Sequence, residues 1–270
     1  MMNSCPLCNS TESNEIVMES CTVYNCKNCM LQYIDDKEGK DTNYLENYST
    51  ARKIESASGK LRQIQYSLDA KHLKNNISSG KILDVGCSTG EFLSTMLNIS
   101  EFQLYGIDTD CKAIDIAKKE CDSKISFFNT DLINFETDLK FDCIIFRGSF
   151  QFLGSDLQET LKKISKIGSD KLKIVIYSLP NSESVLYYYL KDKWNLFDKK
   201  SHTLIFNKNS IMKICNIYKY KIYEFSYPYL ETAYANLEND CQSLMELIKE
   251  GKKDSFPFWG NIMQIILEKE

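Results

Sequence analysis

From Gly80 onward the chain alternates between two hydrophobic rhythms. Short, nearly unbroken apolar runs occur at KILDVG (81–86), QLYGID (103–108), ISFFN (125–129), FDCIIF (141–146) and KLKIVIY (171–177). Between them lie GEFLSTMLNI, CKAIDIAKKEC and DLQETLKKISKI, whose apolar residues recur every three or four positions. An apolar run with no polar alternation suits a strand buried on both faces, and the longer spacing suits a helix with one buried stripe. Strand and helix in strict alternation predict an α/β fold, a parallel sheet covered by helices on both sides.

The flanks differ. Residues 41–77 carry helical spacing, with Leu61, Ile64, Leu68 and Leu73 expected on one buried face. After Pro180 the chain turns aromatic: ten of its sixteen tyrosines and both tryptophans lie between Tyr177 and the C-terminus. A helix is expected over NKNSIMKICNIY, capped by Asn209 or Ser210. A strand is expected at KIYEFSY, a helix at LENDCQSLMELIKE and a final strand at NIMQIILEKE.

Composition narrows the class. The 270 residues are 43% hydrophobic and 26% charged, the balance of a globular protein. A formal net charge of −4 argues against a general nucleic-acid binder, which needs a basic face. The opening MMNSCPLCNS lacks a charged-then-apolar leader pattern, and no run approaches the roughly 18 apolar residues of a membrane span. Together these lead us to expect a cytoplasmic protein without membrane association.

Five of the eleven cysteines crowd the first thirty residues. Cys5-x2-Cys8 and Cys26-x2-Cys29 are separated by seventeen residues, a spacing that brings four thiolates to one tetrahedral zinc ion. Four protein ligands leave no position for water, so such a zinc is structural. It would fold a segment with little core of its own. Cys21 is then apolar filling or a substitute ligand, and the six scattered cysteines are expected to be small buried hydrophobes.

The second concentration of chemistry is ILDVGCSTGEFL, residues 82–93. A strand ends at Asp84, Gly86 and Gly90 allow close backbone approach, and a helix begins just beyond, where an anionic group is favoured. This Asp-x-Gly-x-x-x-Gly loop departs from the G-x-G-x-x-G of dinucleotide-binding enzymes. It closely resembles motif I of the class I S-adenosylmethionine (SAM)-dependent methyltransferases, with Ser88 where a glycine is usual. The resemblance implies a doubly wound, Rossmann-like SAM-binding fold and a cofactor site made of Asp84, Gly86, Cys87, Ser88, Gly90, Asp108, Thr109, Asp131, Leu132 and Arg147. In it Asp84 faces the methionine end, Asp108 the ribose hydroxyls and Asp131 the adenine amino group. Asp108 and Asp131 also suit plain loop or cap roles.

The cysteine pairs, the helical connector, SLPN after the fifth strand and Trp194, His202 and Phe206 beyond it resemble a zinc-knuckle branch of that family acting on sugars and surface-polysaccharide precursors. That resemblance implies a knuckle at 1–40, a connector at 41–79 and a SAM domain at 80–270 with acceptor-cap elements at about 181–215 and 228–261. Its relatives carry a histidine after the fourth strand. Here Gln151 and Phe152 occupy that stretch.

His202 is therefore the first candidate for a base, beside Arg147 and Gln151 at the mouth of the site. Arg147 suits a carboxylate or phosphate, or else a salt bridge that orders its loop. His72 is expected to be inert, and Tyr44 and Tyr48 to fold over the cofactor. The expected partner is a small polar acceptor, a sugar or sugar nucleotide, methylated on oxygen, with methylation on carbon or nitrogen also open. An RNA or protein methyltransferase and a SAM-binding module without catalysis stay open as alternatives.

Overall fold

The computed structural model describes residues 4–34, 57–97, 102–197, 203–251 and 255–270. Three short strands open it: β1 (Ser13–Val17), β2 (Thr22–Cys26) and β3 (Gln32–Ile34). Helix α1 (Ala57–Asn76) follows. The α/β alternation then runs β4 (Lys81–Val85), α2 (Glu91–Leu97), β5 (Gln103–Asp108), α3 (Cys111–Glu120), β6 (Ser126–Asn129), β7 (Phe141–Arg147), α4 (Leu157–Ile167) and β8 (Gly168–Pro180). Beyond it come α5 (Val185–Leu190), β9 (Leu204–Ile205), α6 (Lys208–Tyr218), β10 (Tyr220–Ser226), α7 (Leu237–Glu250) and β11 (Ile262–Lys269).

Seven strands form one sheet in the order β10-β11-β8-β7-β4-β5-β6. From β6 to β8 every pairing is parallel, and β11 runs antiparallel between β8 and β10. The chain moves outward from β4 through β5 to β6, then returns to the other side of β4 with β7 and β8. The strand order thus reverses between β4 and β7, and such a reversal opens a crevice beyond the strands' carboxyl ends. The expected α/β architecture is therefore present, with strand ends that differ by a few residues from the sequence reading.

The first strands do not stand apart. β3 pairs antiparallel with β9, so a four-stranded sheet, β1-β2-β3-β9, joins the cysteine-rich opening to the segment after β8. Leu7, Leu31 and Tyr33 lie in the same buried cluster as Leu83, Phe146 and Phe206. Cys21 is buried beside Met18, Leu186 and Trp194, as apolar filling.

Three local expectations need correction. Of the six scattered cysteines, Cys111 and Cys241 are exposed and Cys121 is half-buried, because the first two sit on the outer parts of their helices and Cys121 just past the end of α3. Leu61, Ile64 and Leu68 of α1 are partly exposed, and the buried face carries Tyr66, Ala70, Leu73 and Ile77. Gln65 and Asp69 are buried on that helix too, because each has a polar partner on a distant element. A count of leucines could not see those partners. The cap of α6 is Asn207, whose side chain accepts from Ser210 N, while the Ser210 hydroxyl accepts from Asn207 N in a reciprocal capping box. Among the described residues no helix is long and apolar enough to cross a membrane.

Candidate active site

Asp84 closes β4 as a fully buried carboxyl, only 2% exposed, and its Oδ1 has no protein partner. Burial pushes its pKa up to about 7, the Arg147 guanidinium opposes the rise, and the Asp108 charge adds to it. The next turn explains the glycine spacing. Gly86 has φ +82° and lies so close to Ser149 that a Cβ there would come within 2.8 Å of the serine's own Cβ. Gly90, at φ +76°, would drive a Cβ into the Phe127 ring.

Between them Ser88 holds φ +50°, the left-handed region that costs an L-residue roughly 1–2 kcal/mol. The departure from glycine is thus tolerated in an unfavourable conformation, fixed by a 2.8 Å hydrogen bond from Ser88 N to Asp108 Oδ2. The Ser88 hydroxyl is buried without a protein partner. The Cys87 side chain is buried in the core under the loop.

Asp108 ends β5, and its other oxygen accepts from Asp110 N at 2.9 Å. The cap of α3 is Asp110 itself, which accepts from Lys112 N and Ala113 N. Asp108 therefore ties the glycine loop to the start of α3. Thr109 is exposed, and its carbonyl accepts from Asn129 Nδ2. Asp131 is also exposed and accepts from both the backbone and side-chain nitrogens of Asn134. Leu132, directly after Asp131, is buried in the core.

Arg147 ends β7, and its charge is met by α1. Nε donates to Asp69 Oδ2 at 2.8 Å, and the guanidinium carbon lies 4.2 Å from the centre of the Tyr66 ring. Burial raises the Asp69 carboxyl and Arg147 opposes that rise, as expected for an ion pair largely removed from water. The described hydrogen bonds engage Nε alone, leaving both Nη groups for a ligand. Gln151, 4% exposed, donates Nε2 to Gly148 O while its Oε1 is buried without a partner. Phe152, where a histidine would stand in the relatives, is partly exposed. His202, Tyr44 and Tyr48 lie outside the described residues.

The contribution of α1 was missed from sequence. Tyr177 donates its hydroxyl to the Asp69 carbonyl and meets His72 Nδ1 at 2.9 Å, and His72 Nε2 lies 2.8 Å from Glu224 Oε1. His72 is a hydrogen-bonded structural histidine that links α1 to β8 and β10 behind the Arg147–Asp69 pair.

At the other end of the chain Cys5, Cys8, Cys26 and Cys29 bring their sulfurs within 4.8 Å of one another. Cys5–Cys29 and Cys8–Cys26 are each 3.5 Å apart, near the roughly 3.8 Å edge of a tetrahedron with about 2.3 Å metal–sulfur bonds. The two knuckles share one geometry. Asn9 N donates to Cys5 O and Met30 N to Cys26 O, each at 2.9 Å, and both residues are left-handed, at φ 59° and 61°. The Cys5 thiol is lowered to about 5 by its hydrogen bond with Cys29, whose own thiol is raised by that bond and by burial. Four soft donors at this spacing fit a closed thiolate metal site.

Orphaned buried atoms on Asp84, Ser88 and Gln151 thus gather at the sheet's switch point, beside an arginine with two open donors. Residues 82–169 match the model of a methyltransferase domain. The matched residues run from β4 to the start of β8 on a Rossmann-like sheet. A carboxy-S-adenosyl-L-methionine synthase of Campylobacter hominis is 35% identical over 103 residues, a stretch covering 34% of this chain and 43% of that one. This chain therefore aligns with less than half of that curated relative. Among solved structures, a plantazolicin methyltransferase bound to SAH and a desmethyl analogue matches with a TM-score of 0.54 at 16% identity, covering 85% of this chain and 90% of that one. A possible histamine N-methyltransferase of Thermotoga maritima matches with a TM-score of 0.51 at 16% identity, covering 78% and 92%. At such identities the likeness is one of fold.

Proposed function

We propose that the protein transfers a methyl group from SAM to an oxygen of a small polar acceptor, a sugar or sugar-nucleotide precursor of cell-surface polysaccharide. The observation that carries the SAM reading is the set of unpartnered buried atoms, Asp84 Oδ1, Ser88 Oγ and Gln151 Oε1, at the carboxyl ends of β4 and β7. Buried polar atoms left without protein partners are rare and costly, so a ligand that supplies those partners accounts for them. On this reading Asp84 meets the ammonium of the methionine end, the Arg147 Nη groups meet its carboxylate, and Asp108 receives the ribose hydroxyls. Asp131 and the Leu132 backbone border the adenine.

SAM supplies an already activated methyl group. The chain's task is to hold the acceptor oxygen in line and to take its proton. With Phe152 in place of a histidine, His202 is the proposed base, and Gln151 positions the acceptor. The four cysteines hold a structural zinc that fixes the knuckle, and the cap elements at about 181–215 and 228–261 cover the acceptor. A mass-spectrometric screen for a gain of one methyl group on sugar nucleotides, phosphorylated sugars and RNA tests this. Methylation of a sugar, slowed at least tenfold in His202→Ala, is the expected result. Methylation of RNA alone, or an unchanged rate in the variant, would overturn the acceptor or the base respectively.

A second reading is favoured by Arg147 and by the name of the Campylobacter relative. A cation beside the donor's methionine end also suits a donor that carries an additional carboxylate, as carboxy-SAM does. Competition between SAM and carboxy-SAM for the purified protein separates the two. Tighter carboxy-SAM binding that is lost in Arg147→Met would favour the second.

A further inference from the structure

A second concavity lies against the first cysteine knuckle. It is a cleft of about 350 Å³ between the first cysteine knuckle, the turn at Gly154–Asp156 with the start of α4, and the edge of β9. That volume falls within the range of about 300–1,000 Å³ typical of small-molecule sites. Its lining contains no aspartate, glutamate, lysine, arginine or histidine. The one group on it that ionises near neutral pH is the Cys5 thiol, which as a thiolate would repel anions. An anionic ligand would lose its hydration there without gaining a counter-charge, so the cleft selects against anions.

What the walls offer instead is paired, neutral hydrogen-bonding capacity. Gln158 Nε2 donates to Asn9 Oδ1 at 2.8 Å, and both residues line the cleft. This pair leaves one donor, Asn9 Nδ2, and one acceptor, Gln158 Oε1, without partners among the described residues. Thr203 also lines the cleft, with a hydroxyl that is buried and unpartnered. Ser4 and Ser155 add hydroxyls, and Tyr33 adds an aromatic ring. A donor and an acceptor on one such pair complement hydroxyls, each of which both donates and accepts.

We infer that this cleft binds an uncharged, hydroxyl-rich ring, of the monosaccharide class. Resting on the acceptor reading above, the ring is a part of the acceptor remote from its methylated atom. The cysteine knuckle then has a role beyond stability, since Asn9 is held left-handed directly after Cys8 and owes its position to the knuckle turn.

The test is saturation-transfer NMR on the zinc-loaded full chain, with glucose, galactose, rhamnose and their 1-phosphates as probes. At least one neutral sugar should show saturation transfer, and its affinity should fall at least fivefold in Gln158→Met and in Thr203→Val. SAM affinity should stay within twofold of the parent in both variants, which shows that they fold. No transfer to any neutral sugar, preference for the phosphates alone, or binding indifferent to both substitutions would overturn the inference. Sugar binding that passes these tests, in a protein that methylates no sugar, would sink the acceptor reading and leave the cleft standing.

Discussion

Asp84 joins the chemistry of the site to the stability of the fold. Its folded-state pKa, about 7, lies well above the roughly 3.9 of an unperturbed aspartate. The folded protein therefore keeps a proton that the unfolded chain releases. Its contribution to stability is fully present below about pH 4, is lost as pH rises to about 7, and levels off beyond. The total is roughly 4 kcal/mol. In the ligand-free protein, Asp84→Asn should flatten the fall in melting temperature between pH 5.5 and 7.5, and parallel melting curves for the two proteins would contradict the assignment.

The residues that sequence alone could place are those whose chemistry is local. Gly86, Ser88 and Gly90 occupy one turn, and the two knuckles each sit within five residues, so spacing exposes their geometry. Asp69, His72 and Tyr177 act on partners 78 to 152 residues away, and no local pattern announces them.

At the scale of elements, two segments outside the α/β alternation position the site. Helix α1 brings Asp69 and Tyr66 against Arg147, and the polar contacts of His72 brace the helix on β8 and β10. The periodicity of α1 was legible, but its buried face was not, because polar residues with distant partners displaced leucines from it.

The knuckle acts through β9. β3 pairs with β9, and Asn207, the cap of α6, donates to the Met30 carbonyl at 2.9 Å. Metal removal should therefore reach the cap and the sheet as well as the first thirty residues. Stripping the metal with a chelator should lower the melting temperature in a single cooperative transition and weaken SAM affinity at least threefold, with recovery on adding Zn2+. Two separate transitions with unchanged SAM affinity would show the knuckle to be an independent module.

For the whole molecule, the sheet decides where ligands go. Parallel strands with reversed order leave a crevice at β4 and β7, and the chain places Asp84, the glycine turn, Asp108 and Arg147 around it. The strand-helix rhythm from Gly80 carried this architecture in the sequence. The union of the opening knuckle with the segment after β8 was not legible, because a three-residue strand pairing with a two-residue strand leaves almost no periodic signal.

On the proposed function this crevice binds SAM through its orphaned polar atoms. Calorimetric titration of the zinc-loaded protein with SAM tests it most directly, with NAD as the control and Asp84→Asn as the variant. Saturable one-to-one SAM binding is expected, at least tenfold weaker in the variant, with proton release near pH 6.5 that the variant lacks, and no heat from NAD. Binding of NAD in place of SAM, or SAM binding indifferent to Asp84→Asn, would contradict it.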